Sequence, residues 1–513
     1  MRALATLPVV LPLAGAAATL LLGRHTAVLR VLSGLVHAGA LGCAVALLVL
    51  ADRSGPQVVA LGGWPAPLGI ALVADRLSAL LLVVALTVLV TVLVYAISQS
   101  ASDPEGGFPA TVFHPAYLVL TAGVCLAFLA GDLFTMFVGF EMLLTASYVL
   151  VTIGGTAERV RAGSTYILVS LTGSILFLLT VAVVYAATGT VNLADLAVRL
   201  NEIDPGLRQV LSLMLLVVFA IKAAAVPLHA WLPDSYPSAP SPVTAVFAGL
   251  LTKVGVYAML RTQSLLFGDG SAAPAILALA VLTMIVGMLG ALAQTDLNRM
   301  LSFVLVGHIG FMLFGLSLFS VDGLAGAIFY TMHHILAQAA LFLVSGILER
   351  QRGTVSLDEL GGVARTAPAV AVLFALPAMS LSGIPPFSGF LAKVGLLVAA
   401  PGQGAAALAG AAVVVVASLL TVRAMAAVWT RAFWGDPTPP VPDANPHDQV
   451  LVGTRRRVPT AMLAATGALT VAGLAIVVVA GPVQAFTERA ATDLLERDRY
   501  VEAVLGDGGA GDG

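Results

Sequence analysis

Long apolar runs separated by short polar gaps fill this chain almost from end to end. A spanning helix needs about 20 apolar residues. By that measure the sequence predicts about fourteen spans, near 4–22, 30–50, 70–97, 112–130, 132–153, 161–187, 208–234, 242–266, 273–293, 297–318, 322–348, 366–400, 406–433 and 458–485. No gap between them is long enough for a soluble domain, so residues 1–513 are expected to form one all-α integral membrane domain. The run after Arg2 lacks a small-residue cleavage site and is read as a retained helix. Between the sixth and seventh spans, "VNLADLAVRLNEI" is short and amphipathic, as expected of a segment at the membrane interface.

Two runs are too long or too interrupted for simple helices. "IKAAAVPLHAWLPDSYPSAP" carries Pro227, Pro233, Pro237 and Pro240 after Lys222, and "LPAMSLSGIPPFSGFLAKVGLL" carries Pro377, Pro385 and Pro386 before Lys393. Proline removes a backbone donor, and open backbone at membrane depth persists only within protein or beside a wet cavity. Matched breaks in two halves of a chain predict an inverted repeat with its site near the breaks. The two five-helix repeats are expected over 112–262 and 273–433, each with one broken helix at Pro227 and at Pro385–Pro386 respectively.

Composition excludes several classes. The chain is 59% hydrophobic and 10% charged with a net charge of −2, so no basic surface invites nucleic acid; the lipid bilayer is its solvent. Cys43 and Cys125 each sit alone in an apolar run, which argues against a disulfide framework or a metal site. Loops after odd-numbered spans hold twelve arginines and the other side eight, which predicts both termini outside.

The lysines change the picture most. Twenty-two arginines lie mostly in the polar gaps, but the only three lysines, Lys222, Lys253 and Lys393, lie in or beside apolar runs. Arginine stays protonated, whereas a buried lysine can release its proton. An ionisable group at mid-membrane costs about 2.5–3.5 kcal/mol on the insertion scale and is a functional candidate by default. Glu141, deep in "FTMFVGFEMLLTASYVLV", is the expected partner of Lys222. Lys253 has no carboxylate near it in sequence and suits a central relay. His333 and His334 are about 100° apart on one helix, so at most one faces a central axis, and they cannot form an i, i+4 metal face. His308 is a further candidate, and His229 and Asp234 flank the first break. Asp132 reads as interfacial, and Asp75 and Arg76 as anchors of the third span. No phosphate loop, dinucleotide fingerprint or cysteine cluster suggests a bound NADH, flavin or iron–sulfur cofactor.

The stretches "EMLLTASYVLV", "IKAAAVPLHAWLPDSYPSAPSPVTAVFAGLLTKVGVYAMLR", "FYTMHHIL", "ALFLVSGIL" and "LSGIPPFSGFLAK" resemble the antiporter-like subunits shared by respiratory complex I and the Mrp cation/proton antiporters. The resemblance spans about 70–435, and "FAGLLTKVG" and the tail "RYVEAVLG" are similar to the Mrp D subunits. It implies a proton-translocating subunit of a Na+ (or other monovalent cation)/proton antiporter in a bacterial plasma membrane. Implied partners are the A, B, C, E, F and G subunits of such an antiporter, with no redox cofactor. Glu141 and Lys222 would form the coupled uptake pair, Lys253 the central relay, His334 the next step and Lys393 the terminal donor. Many relatives carry a lysine where this chain has Gln338, which cannot titrate, so water would assist the step beyond His334. Two other assignments stay open: a proton-pumping membrane subunit of complex I or a membrane-bound hydrogenase, and a structural membrane scaffold.

Overall fold

A computed structural model describes residues 4–23, 25–102, 108–436 and 457–506. Arg2, Arg24, Arg455 and Arg456, counted in the arginine bias, lie outside the described residues. The first helices are α1 (Leu7–Leu21), α2 (Thr26–Ser54), α3 (Arg76–Ala101), α4 (Ala110–Leu129), α5 (Leu133–Thr152) and α6 (Ala157–Thr188). There follow α7 (Leu193–Arg199), α8 (Pro205–Ala223), α9 (Trp231–Ser235), α10 (Ser241–Val246), α11 (Thr252–Leu265), α12 (Ala273–Leu292), α13 (Leu297–Ser317) and α14 (Val321–Arg352). The chain continues through α15 (Val363–Thr366), α16 (Pro368–Ser382), α17 (Ser388–Val398), α18 (Ala405–Val428), α19 (Thr460–Val478), α20 (Ala480–Leu495) and α21 (Asp498–Leu505). Among the described residues 13 helices are long and apolar enough to cross a membrane, and α16 and α17 are shorter apolar helices on either side of a break.

Polar residues at the ends of apolar runs set the helix starts. Asp75, Asp132, Thr156, Asn192, Asp204, Asp296 and Ser320 each accept a backbone N–H from the first turn of the helix they precede. Asp75 and Ser78 form a reciprocal capping box. Asp75 also makes a buried ion pair with Arg261 at 2.6 Å, and Arg76 pairs with Asp52 and Asp493. The third span therefore starts at Arg76 rather than near 70: Gln57–Ala60 (β1) and Ala71–Ala74 (β2) form an antiparallel hairpin in register Gln57↔Ala74 to Ala60↔Ala71. The predicted seventh span also shortens, because its helix ends at Ala223. The segment expected at the interface forms α7, whose Leu193, Ala194, Leu196 and Ala197 are buried.

The least apolar span lies fully inside, although the most apolar one, Arg76–Ala101, is also 67% buried. The spans Ser241–Leu265 and Val321–Arg352 are 100% buried over their apolar stretches, whereas Thr26–Ser54 and Ala405–Trp434 are only 28% buried within the chain. In water the opposite holds; here lipid solvates the apolar faces and the protein must shelter the polar groups. In each half two helices meet backbone to backbone. A Cβ at Gly139 of α5 would lie 2.7 Å from Ala127 N of α4, and one at Gly287 of α12 would lie 2.2 Å from Gly307 N of α13. The chain's described ends converge, since Leu4–Thr6 packs on both strands and α21 packs on β1.

Candidate functional site: a buried row of ionisable groups

The first half holds an acid and an amine joined by a hydroxyl. Glu141 projects from α5 and Lys222 from the last turn of α8, with Lys222 Nζ 4.0 Å from Glu141 Oε1. Ser174 of α6 stands between them: Lys222 Nζ donates to its Oγ at 2.7 Å, and Ser174 Oγ donates to Glu141 Oε1. Lys222 Nζ also donates to the Ser170 carbonyl at 3.3 Å and lies 5.8 Å from the Phe140 ring centroid. The Lys222 side chain is 3% exposed and that of Glu141 30%. A cavity of about 20 Å³, enough for one water, lies beside Lys222 and is lined by Phe140, Tyr166, Ser170, Trp231 and Leu251.

The break follows directly. Ala224 adopts φ 57, which ends α8, and the backbone stays irregular through Pro227 to α9. The freed Val226 N–H donates to Thr283 Oγ1 of α12 at 3.1 Å, so the second half of the chain satisfies the first half's break. His229 on this segment is half-buried with an unpartnered Nδ1. Asp234 pairs with Arg299 at 2.8 Å, and both are about half exposed, at 56% and 45%. Asp234 thus belongs to a surface ion pair away from Glu141 and Lys222.

Lys253 is 0% exposed. It follows a π-helical turn, Phe247–Leu251, that shifts the register between α10 and α11. Its Nζ donates to the Ala248 carbonyl within that turn at 2.6 Å. Two residues on, Gly255 brings α11 against α8: a Cβ there would lie 2.7 Å from the nitrogen of Ala223, the neighbour of Lys222. The π turn also abuts α14, with Gly249 close to Ile335 and Ala339, one turn beyond His334.

His334 of α14 is fully buried with both ring nitrogens unpartnered. It lies within electrostatic reach of Lys253, His308, His333 and Lys393. The His308 ring is 5.1 Å away, centroid to centroid, and is bracketed by Tyr330 OH at 2.9 Å and Thr421 Oγ1 at 3.1 Å. His333 turns elsewhere: its Nδ1 meets Ser388 Oγ at 3.0 Å across the second break, where Ser380 Oγ lies 3.2 Å from Ser388 Oγ. That break, containing Pro385 and Pro386, separates α16 from α17. Lys393 of α17 reaches back to donate to the last carbonyls of α16, Leu381 O at 3.1 Å and Ser382 O at 3.0 Å, and lies 5.2 Å from the Phe311 ring centroid. Gln338 donates to Leu301 O at 2.8 Å while its Oε1 is buried without a partner.

Sequence reasoning passed over the hydroxyl partners: Ser170, Ser174, Thr283, Tyr330, Ser380, Ser388 and Thr421. One signal was present, since Ser170 and Ser174 are four apart on one helix and so share a face.

The fold and this row of groups define a multi-pass membrane protein with an ionisable interior inside an apolar shell. The family model for the transmembrane region of NADH:quinone oxidoreductase and Mrp antiporters matches residues 130–421, and the chain belongs to that family. It is 41% identical over 439 residues to a protein named as the D subunit of a Na(+)/H(+) antiporter from Alkalihalophilus pseudofirmus, covering 85% of this chain and 88% of the relative. It is 34% identical to the protein of the same name from Bacillus subtilis, covering 97% and 98%. A chain in the structure of the Mrp complex from Dietzia sp. DQ12-45-1b superposes with a TM-score of 0.91 at 35% identity, covering 98% of this chain and 99% of that one.

Proposed function

We propose that this chain is the proton-translocating, D-type subunit of a multi-subunit antiporter that exchanges Na+ or another monovalent cation for protons. The assembly, with A, B, C, E, F and G subunits, exchanges the ions; the chain is a transporter subunit and not itself an oxidoreductase. The observation that supports this function is the burial of all three lysines, each beside irregular or π-helical backbone, together with a fully buried His334 whose ring nitrogens have no partner. Protons would enter at Glu141–Lys222, pass to Lys253, then through His334 and water to Lys393. His308 would orient His334, and His333 would fix the second break. The helix series α4, α5, α6, broken α8, π-interrupted α10–α11 is matched by α12, α13, α14, broken α16–α17 and α18 with its terminal π turn. This match supports the inverted repeats over 112–262 and 273–433. The arginine bias supports placing both termini outside a bacterial plasma membrane.

Lys253→Ala tests the function. In everted membrane vesicles carrying the whole assembly, Na+-driven collapse of a pH gradient should fall to background while native gels show unchanged assembly. Exchange at the unmutated rate would overturn it and favour a scaffold. The family also includes pump subunits of NADH:quinone oxidoreductase, and a flavin or iron–sulfur arm in the purified assembly would transfer the same axis to that enzyme.

A further inference from the structure

The structure assigns Ser174 as the proton relay between Glu141 and Lys222, an assignment that rests on the proton-carrying function proposed for that pair. At 4.0 Å the amine and the carboxylate are too far apart for a direct hydrogen bond. Ser174 Oγ touches both. The charged end groups fix the polarity of the chain, because an ammonium only donates and a carboxylate only accepts. The one hydroxyl proton of Ser174 therefore points at Glu141, while its lone pair receives Lys222.

Every donor thus points one way, from the buried amine to the half-open acid. Transfer breaks an N–H bond of Lys222 as an O–H bond forms on Ser174, while the original hydroxyl proton passes to Glu141 Oε1. The products are a neutral amine, a neutral carboxylic acid and an intact serine, now donating toward Lys222; the reverse step carries a proton taken up at Glu141 inward to Lys222. Among the described residues no other hydroxyl bridges the two. Ser170 offers Lys222 only its backbone carbonyl, which cannot pass a proton on. Ser174 is itself buried, at 4% exposed, so bulk water does not replace its hydroxyl. The exposures at the two ends, 30% for Glu141 and 3% for Lys222, make it the connection between a group that can reach outside the chain and one that cannot.

The test uses vesicles carrying the whole assembly, with rates expressed per assembled complex. Ser174→Ala should slow Na+-driven exchange about a hundredfold or more, the range of positioned proton transfer. Ser174→Thr, which retains the hydroxyl, should stay within about twofold. Where Ser174→Ala fails to assemble, the isosteric pair Ser174→Thr and Ser174→Val isolates the hydroxyl: only the threonine variant should exchange. The solvent deuterium effect adds a readout that a packing role would not move, and it should be larger in the slow variants, where proton transfer limits the rate, than in the unmutated protein. Equal exchange by the alanine and threonine variants, or by the valine and threonine variants, would overturn the relay, provided that Glu141→Ala and Lys222→Ala abolish exchange. If those two variants also exchange normally, the failure lies with the proton-carrying function of the pair, and the relay falls with it.

Discussion

Lys222 and Lys393 each lie at a helix break, yet they are satisfied differently. Lys222 sits before its break and is matched by a carboxylate through Ser174. Lys393 sits after its break and reaches back to two carbonyls at the end of α16, with no carboxylate in contact among the described residues. A carboxylate can lose its charge by taking a proton, whereas a carbonyl cannot. The first half therefore carries a pair whose charge can be switched off at both ends, and the second half carries an amine bound only to carbonyls. Under the proposed function, that asymmetry would suit uptake at one end of the row and release at the other.

The comparison breaks most visibly in stability. Removing one partner of a buried ion pair costs about 3–5 kcal/mol, and the 30% exposure of Glu141 lowers the expectation for Lys222→Ala to about 2–3 kcal/mol. Adding Glu141→Ala to that variant should recover most of the loss, because no unpaired charge is then left behind. Lys393→Ala leaves only helix-end carbonyls and should cost about 1 kcal/mol. Denaturation midpoints of the purified assembly provide the cycle. Equal losses for the two lysines, or no recovery in the double variant, would remove the asymmetry.

The backbone at the breaks gives a smaller effect. Thr283→Val deprives the Val226 N–H of its acceptor and should cost about 1–3 kcal/mol, since a buried donor is left unsatisfied. Ser380→Ala should cost less, about 0.5–1 kcal/mol, because its contact with the Gly389 N–H is long at 3.4 Å and Ser388 retains His333. If Ser380→Ala proves the more damaging variant, the second break depends on its hydroxyls more than the first depends on Thr283.

Much of this was legible in the sequence because lipid imposes a simple code. Twenty apolar residues make a span, and a lysine inside one stands out when there are only three. The code fails where apolar residues stop being helical without a change in composition. Residues 71–74 read as the start of a span but form a buried strand, and the apolar run through "AAAVPLHAWL" conceals the end of α8 at Ala223. The hydroxyl partners were hidden for another reason. Serine and threonine in membrane helices commonly bond the carbonyl four residues back, as Thr421 does to Ala417 and Thr283 to Leu279. Only the packing of α13 against α18, or of α8 near α12, reveals which of them also face an ionisable ring or an open backbone donor.

Gln338 provides the finest test, because it separates a side chain that carries protons from one that fills space beside them. It lies one turn beyond His334 on the same face of α14, where a titratable residue would extend the row. Its amide is committed, with Nε2 bound to the Leu301 carbonyl and Oε1 buried without a partner. Gln338→Leu should lose one hydrogen bond, about 0.5–1.5 kcal/mol, and also remove a desolvated oxygen that costs about as much, so stability should change by about 1 kcal/mol or less. Exchange should remain within about twofold of the unmutated rate, whereas His334→Leu should abolish it. Both variants leave Lys253 and Lys393 untouched, so a loss of exchange in Gln338→Leu would mean that the amide orders the water between His334 and Lys393, and that the second half of the row runs through α14 at two positions rather than one.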